Sequence, residues 1–389
     1  GWAFPEIPHE AVEWVRSHAD GKGATNIWAP YIIPFGDKYR LYYCVSAFGL
    51  KTSYIGLAES ASPEGPWMQR GCVVKTDATS VMNAIDPSII ADAATGKWWM
   101  HYGSFFGGLY CVELNPETGL PVQEGDQGHL IARRATYWKD NLEAPEIIYN
   151  PELKQYYLFV SYDPLMTTYN VRVGRSDKAE GPFVDYFGVE LKDTTNNFPI
   201  LTAPYRFNNH PGWAGTAHCA VFTSDEGQYF MAHQGRLSPH NQMMDIHLRQ
   251  VFFTSDGWPV VSPERYTGSA SRKFSAADIV GEWEIIRVQE PAYERQLQAG
   301  QILWGEGQLK NEEWNVSCTL SLKKDGQLDE NKGYWKFAER GQLLSLTLNG
   351  EYVDNLLVFA GHDWENETET VLFTGLDSRG RSVWGKRTK

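Results

Sequence analysis

Long apolar runs are missing from this 389-residue chain. No stretch approaches the ~18 residues needed to span a bilayer, and the opening GWAFPEIPHE lacks the charged, apolar and small-residue order of a signal peptide. Cysteine is scarce and odd in number. Five residues (Cys44, Cys72, Cys111, Cys219, Cys318) at wide, irregular spacing outline neither a disulfide framework nor a zinc cluster, and read as core thiols. Basic charge is also short, with 35 Lys and Arg against 48 Asp and Glu, a formal net charge of -13. That repulsion disfavours nucleic acid, anionic membranes and polyanionic substrates as partners. Helical periodicity is nearly absent outside HEAVEWVRSH. What is abundant is aromatic: 14% of the chain, with 15 Trp and 20 Tyr. This is a folded, β-rich composition suited to stacking on a neutral ligand.

Four stretches share one grammar: WAPYIIPFGDKYRLYYCVSAF from Trp28, IDPSIIADAATGKWWMHYGSF from Ile85, EAPEIIYNPELKQYYLFVSYD from Glu143 and TAHCAVFTSDEGQYFMAHQG from Thr216. Each is an apolar strand, a turn and an aromatic strand, with Gly36-Asp37, Thr95-Gly96, Asn150-Pro151 and Glu226-Gly227 supplying hairpin chemistry. A third strand follows each, and two units close alike in SPEGPW and KAEGPF. The prolines Pro30, Pro87 and Pro145 recur at 57 and 58 residues, consistent with propeller blades. After about Tyr266 a polar joint leads into strands such as WNVSCTLSL, GYWKFAE and TETVLFTGL, which read as a small antiparallel barrel or sandwich. The expected division is therefore a propeller over residues 1–266 and a β-barrel accessory domain over 267–389.

Inner-strand starts of a propeller face its channel, so Trp28-Ala29-Pro30, Ile85-Asp86-Pro87, Glu143-Ala144-Pro145 and Thr216-Ala217-His218 are laid over one another. Glycoside hydrolysis needs two carboxyl groups flanking the scissile bond. Glu143 suits the acid, because an apolar surround favours a protonated carboxyl; alternatively it ties down a loop. Asp86 stands one residue out of phase and is also a common strand-start residue, so a bulge or offset is needed for both to face inward. His218 is a metal ligand, a substrate donor or a satisfied core histidine. Trp28, with Phe48, Phe105 and Phe106, is either core or a sugar-stacking platform.

The motifs WAPYI, YYCVSAFGLKTSYIGLA, NAIDPSII, GSFFGGL, LEAPEIIY and VGRSDKAEGPF together resemble glycoside hydrolase family 43, nearest its endo-α-1,5-L-arabinanases, from about Gly1 to Pro263. The resemblance implies a five-bladed β-propeller, of which four blade units are visible here. It implies hydrolysis of α-1,5-linked L-arabinan with inversion, in plant cell-wall breakdown, by a secreted, periplasmic or cell-surface enzyme. It places the general acid on Glu143 and a pKa-modulating, substrate-orienting carboxylate on Asp86. Substrate contacts fall on Trp28, Phe48, Asn83, Ile85, Ser104 and Phe106, and a channel metal, calcium held largely through water, falls by His218.

Three departures accompany it. Tyr31 stands where the family's WAPD carries an acid, Phe106 replaces the Trp of GSFW, and SYDPLMTTYN is shorter than the family's loop and lacks its cysteine pair. The family's general base belongs to a His-Asp-Pro motif of the first blade, and this sequence contains no such motif. Asp20 and Asp37, in turn-like contexts, match no base position. The first blade and its base are therefore expected to be absent, leaving apolar sheet faces exposed. Two rivals follow: an exo-acting α-L-arabinofuranosidase or β-xylosidase, and a non-catalytic arabino-oligosaccharide-binding protein. The C-terminal strands, from GEWEII to SVWGKR, resemble more weakly the small barrel appended to some arabinanases.

Overall fold

The computed structural model describes the whole chain except residues 1–2, 136–139, 194–195, 292–308, 310–313, 330–331 and 349. Its described residues are almost entirely β, with one ten-residue helix, His9–His18, and one short helical turn, Ala276–Ile279. The chain divides into two units: residues 1–161 with 174–196, and residues 162–173 with 197–389.

In the first unit, Trp28–Phe35, Lys38–Ser46, Ser53–Ser60 and Met68–Thr76 form an antiparallel four-stranded meander. Its first hairpin turns on Gly36-Asp37, with Phe35 opposite Lys38 and Gly36 at φ 58°, the left-handed backbone such a two-residue loop demands. A second meander follows from Ser88–Ala91, Trp98–Tyr102, Leu109–Leu114 and His129–Ala132, then a third hairpin from Leu142–Asn150 and Gln155–Tyr162. The second strand, Lys38–Ser46, is almost wholly buried because both its faces are covered. Tyr42 and Cys44 pack with Ile89, Met100 and Tyr102 of the second sheet. Tyr43 and Val45 pack beneath Ala11 and Val15 of the helix. Arg40, fully buried, ties the two sheets: it donates to Glu59 of its own sheet and to the Pro116 carbonyl of the next, with its guanidinium 3.5 Å from the Phe35 ring centre.

The second unit holds a third meander, Ala220–Thr223, Tyr229–Leu237, Asp245–Phe253 and Pro259–Val261. It also holds a seven-stranded antiparallel sheet over Gly281–Arg287, Cys318–Leu322 and the strands from Gly333 to Arg387. That sheet curls round a core of Trp283, Leu320, Trp335, Leu344 and Phe373, and bridges from Leu322 to Leu328 and from Gln327 to Tyr334 bring its two ends together.

The three meanders and the hairpin fall on the four repeat stretches read from the sequence. Apolar exposure differs between the two units. In the first unit the helix covers Tyr43, Val45 and Tyr54, whereas in the second Phe222 is 47% and Ile246 81% exposed.

Candidate active site

Each inner strand opens on a residue in the left-handed region: Ala29 (φ 36°), Asp86 (58°), Ala144 (50°) and His218 (52°). Such non-glycine conformations cost of order 1–3 kcal/mol and persist only where the surroundings hold them. The kink also breaks the two-residue alternation of a strand, as the register shift between Trp28 and Tyr31 records. The sequence alignment is corrected by one residue in the fourth unit. His218 is the counterpart of Asp86, not of the prolines, while Glu143 matches Trp28 and Ile85. The offset between Glu143 and Asp86 is thus real, and a backbone kink at each strand start accommodates it.

These two carboxylates are linked through backbone and hydroxyl. Asp86, 6% exposed, accepts a hydrogen bond from the Ala144 N–H at 3.1 Å through Oδ2, so it grips the peptide just after Glu143. Its charge, after burial, pushes the Cys44 thiol pKa up. Glu143 is half-buried, and its Oε2 accepts the Ser104 hydroxyl at 2.7 Å. Ser104 and Glu143 also form a backbone bridge, and the Phe105 N–H donates to the Leu142 carbonyl at 2.8 Å. The GSFFGG turn reaches this position because Gly107 lies against the Val81 carbonyl: a Cβ there would come within 2.0 Å of it.

Among the residues expected to touch substrate, Trp28 and Phe48 meet edge to face, ring centres 6.1 Å apart, with Phe48 46% exposed. Phe106 is half-buried with φ 43°. Asn83 is buried and accepts the Ser53 hydroxyl at 2.6 Å. Ile85 packs its side chain into the core between the first two sheets. The first unit therefore brings Asp86, Glu143 and Ser104 together and sets Trp28 and Phe48 as a pair. His218 belongs to the second unit and is exposed there.

Calcium takes six to eight oxygen ligands. Among the described residues no cluster of three or more His, Cys, Asp or Glu ligand atoms includes His218. The three carboxylates that do cluster, Glu264, Asp363 and Glu365, surround the Lys386 ammonium, which donates to Glu264 and Asp363 at 2.9 Å each and also to Glu365.

Sequence reasoning missed that Ser104 bonds the Glu143 carboxyl, and it missed Ser88 and Glu146. Ser88 donates to Glu146 Oε2 at 2.8 Å beneath the Asp86–Glu143 layer. The signal was present, since Tyr31, Ser88 and Glu146 each follow the proline of their repeat.

Repeated four-stranded sheets with a carboxylate pair at their inner-strand starts define a propeller-type glycoside hydrolase. The pattern of Glycosyl hydrolases family 43 matches residues 8–259, and that of a C-terminal lipocalin-like domain matches residues 263–385. The chain belongs to glycosyl hydrolase family 43. It is 28% identical to the extracellular endo-α-(1→5)-L-arabinanase of Thermotoga petrophila over 98% of this chain and 82% of that protein. It is 31% identical to the extracellular exo-α-(1→5)-L-arabinofuranosidase of Cellvibrio japonicus over 64% of this chain and 73% of that protein. The crystal structure of the Thermotoga petrophila endo-1,5-α-L-arabinanase superimposes with a TM-score of 0.82 at 26% identity, covering 99% of this chain and 89% of that one. The Cellvibrio cellulosa α-L-arabinanase complexed with arabinohexaose gives 0.56 at 29% identity, over 67% and 83%.

Proposed function

We propose that this protein is an endo-acting hydrolase of α-1,5-linked L-arabinan that works with inversion on a five-bladed propeller. The observation that carries the reading is the Asp86–Ala144–Glu143–Ser104 chain of bonds at the inner-strand starts. Glu143, protonated, gives its proton to the departing glycosidic oxygen as the C1–O bond breaks. Water adds to C1 from the opposite face, and its proton passes to a general base that no residue of this sequence matches. Asp86 orients the acid through the Ala144 amide. The aromatic pair Trp28 and Phe48 stacks a sugar ring. Asn83, Ile85 and Phe106 shape the subsite around it.

The endo assignment is supported by the endo-acting relative matched along nearly the whole chain, while the exo-acting one matches less of it. The extracellular relatives support a secreted protein, and among the described residues no helix is long and apolar enough to cross a membrane. A calcium ion, held by His218 and water, would supply fixed positive charge in the channel.

The test is hydrolysis of debranched arabinan by the full-length polypeptide and its Glu143→Ala variant. Mixed oligomers are expected from the unsubstituted protein and a loss of ~10²–10⁴ from the variant. Turnover within tenfold in the variant removes Glu143 as the acid, and arabinose alone as product replaces endo by exo action.

A further inference from the structure

One layer below Glu143 and Asp86, the residues that follow the repeat prolines meet. Ser88 and Glu146 are both buried, at 1% and 6% exposure. The Ser88 hydroxyl accepts the Ile147 N–H at 3.1 Å and donates to Glu146 Oε2 at 2.8 Å. Tyr31 completes the layer: its hydroxyl donates to the Ile89 carbonyl at 3.0 Å. Burial first and the Glu146 charge second push its pKa above the usual tyrosine range. Tyr31, where the resemblance leads one to expect an acid, thus faces a carboxylate brought from the repeat of Glu143.

The Asp86 strand and the Glu143 strand are consequently joined at two levels. Above, Asp86 holds the Ala144 amide; below, Ser88 holds the Ile147 amide and is itself held by Glu146. The upper level is made by the left-handed residues Asp86 and Ala144, a backbone that persists only where its surroundings hold it. A buried carboxylate is costly to keep without strong partners. Its charge-assisted bond to a hydroxyl is shorter and about twice as strong as a neutral one, which suits a strut that must hold a catalytic pair to a fraction of an ångström.

We propose that Glu146, acting through Ser88, is a positioning residue for the Glu143–Asp86 pair. The inference rests on the hydrolase reading of that pair and goes beyond it by assigning the layer that holds the two strands in register.

The experiment compares Glu146→Leu, Glu146→Gln and Ser88→Ala in the full-length polypeptide with debranched arabinan, rates being normalised to the folded fraction. Displacement of the acid should lower kcat ~10–100-fold in Glu146→Leu with KM changed less than threefold. Glutamine, which still accepts the Ser88 proton, should restore kcat to within about fivefold of the parent. A merely structural role would move the folded fraction and leave normalised kcat alone. The proposal is overturned if Glu146→Leu keeps kcat within threefold, or if Gln is as damaging as Leu. Should Glu146→Leu fail to fold, Ser88→Ala decides by the same threefold criterion. Glu143→Ala, measured alongside, separates the two ideas: if it retains turnover the hydrolase reading of the pair fails, and if it alone is inactive only the role of Glu146 fails.

Discussion

Ser104 donates its hydroxyl to Glu143 at 2.7 Å, so a residue expected to bind sugar also holds the carboxyl proposed as the acid. A hydrogen bond to a neutral carboxyl contributes roughly 0.5–1.5 kcal/mol. Replacing Ser104 by Ala should lower kcat about tenfold with KM little changed, measured by initial rates on arabino-oligosaccharides. A rise in KM at constant kcat would return Ser104 to sugar binding alone.

Trp28 and Phe48 pair edge to face at 6.1 Å, with Phe48 open to solvent. Aromatic contacts of this kind contribute about 0.5–1.5 kcal/mol. Trp28→Ala is therefore expected to raise KM roughly three- to tenfold while kcat stays within twofold, and calorimetric binding of arabino-oligosaccharides should weaken in parallel. Unaltered binding would make Trp28 a core residue.

His101 is fully buried, bonded through Nε2 to the Ala179 carbonyl at 2.8 Å, and burial lowers its pKa to about 4. The folded value lies below the ordinary 6.5, so the unfolded chain binds more protons between the two. His101 therefore contributes stability that is complete above pH 6.5 and drains away as pH falls towards 4, up to ~3 kcal/mol. Urea unfolding at pH 7 and pH 4.5 should show this loss, and His101→Gln should flatten it. An equally steep pH dependence in the variant would assign the loss to other groups.

Lys386 is enclosed by Glu264, Asp363 and Glu365. Burial pushes the Glu264 carboxyl up to about 8 against the opposing pull of Lys386. Removing one member of such a group leaves uncompensated buried charge, at ~3–5 kcal/mol. Lys386→Met should lower the denaturant midpoint accordingly, and adding Glu264→Gln should recover part of it. A midpoint unchanged by Lys386→Met would show that the three acids are protonated or hydrated.

Much of this was legible in one dimension. Strand alternation, the Gly36-Asp37 turn, the HEAVEWVRSH helix and the proline spacing depend on local rules of period and turn chemistry, and they outline the repeats directly. Glu143 and Asp86 stood out because each opens a repeat. Three things were not legible. His218 was misaligned by one residue because the fourth repeat, TAHCAVF, has no proline at its strand start to set the register. Nor was it legible that Ile85 packs its side chain into the core or that Asn83 is buried and accepts the Ser53 hydroxyl. Ser88 and Glu146 repeat the position of Tyr31, but nothing local says that a serine from one repeat will donate its hydroxyl to a glutamate of the next.

The sequence by itself therefore determined the repeating β architecture, the family and the carboxylates at the strand starts, since each is written in periodicity and short motifs. Only the tertiary structure decided which of those residues meet. The contacts Ser104–Glu143, Asp86–Ala144 and Ser88–Glu146 span 39, 58 and 58 residues, and only the packing of one sheet on the next sets such distances.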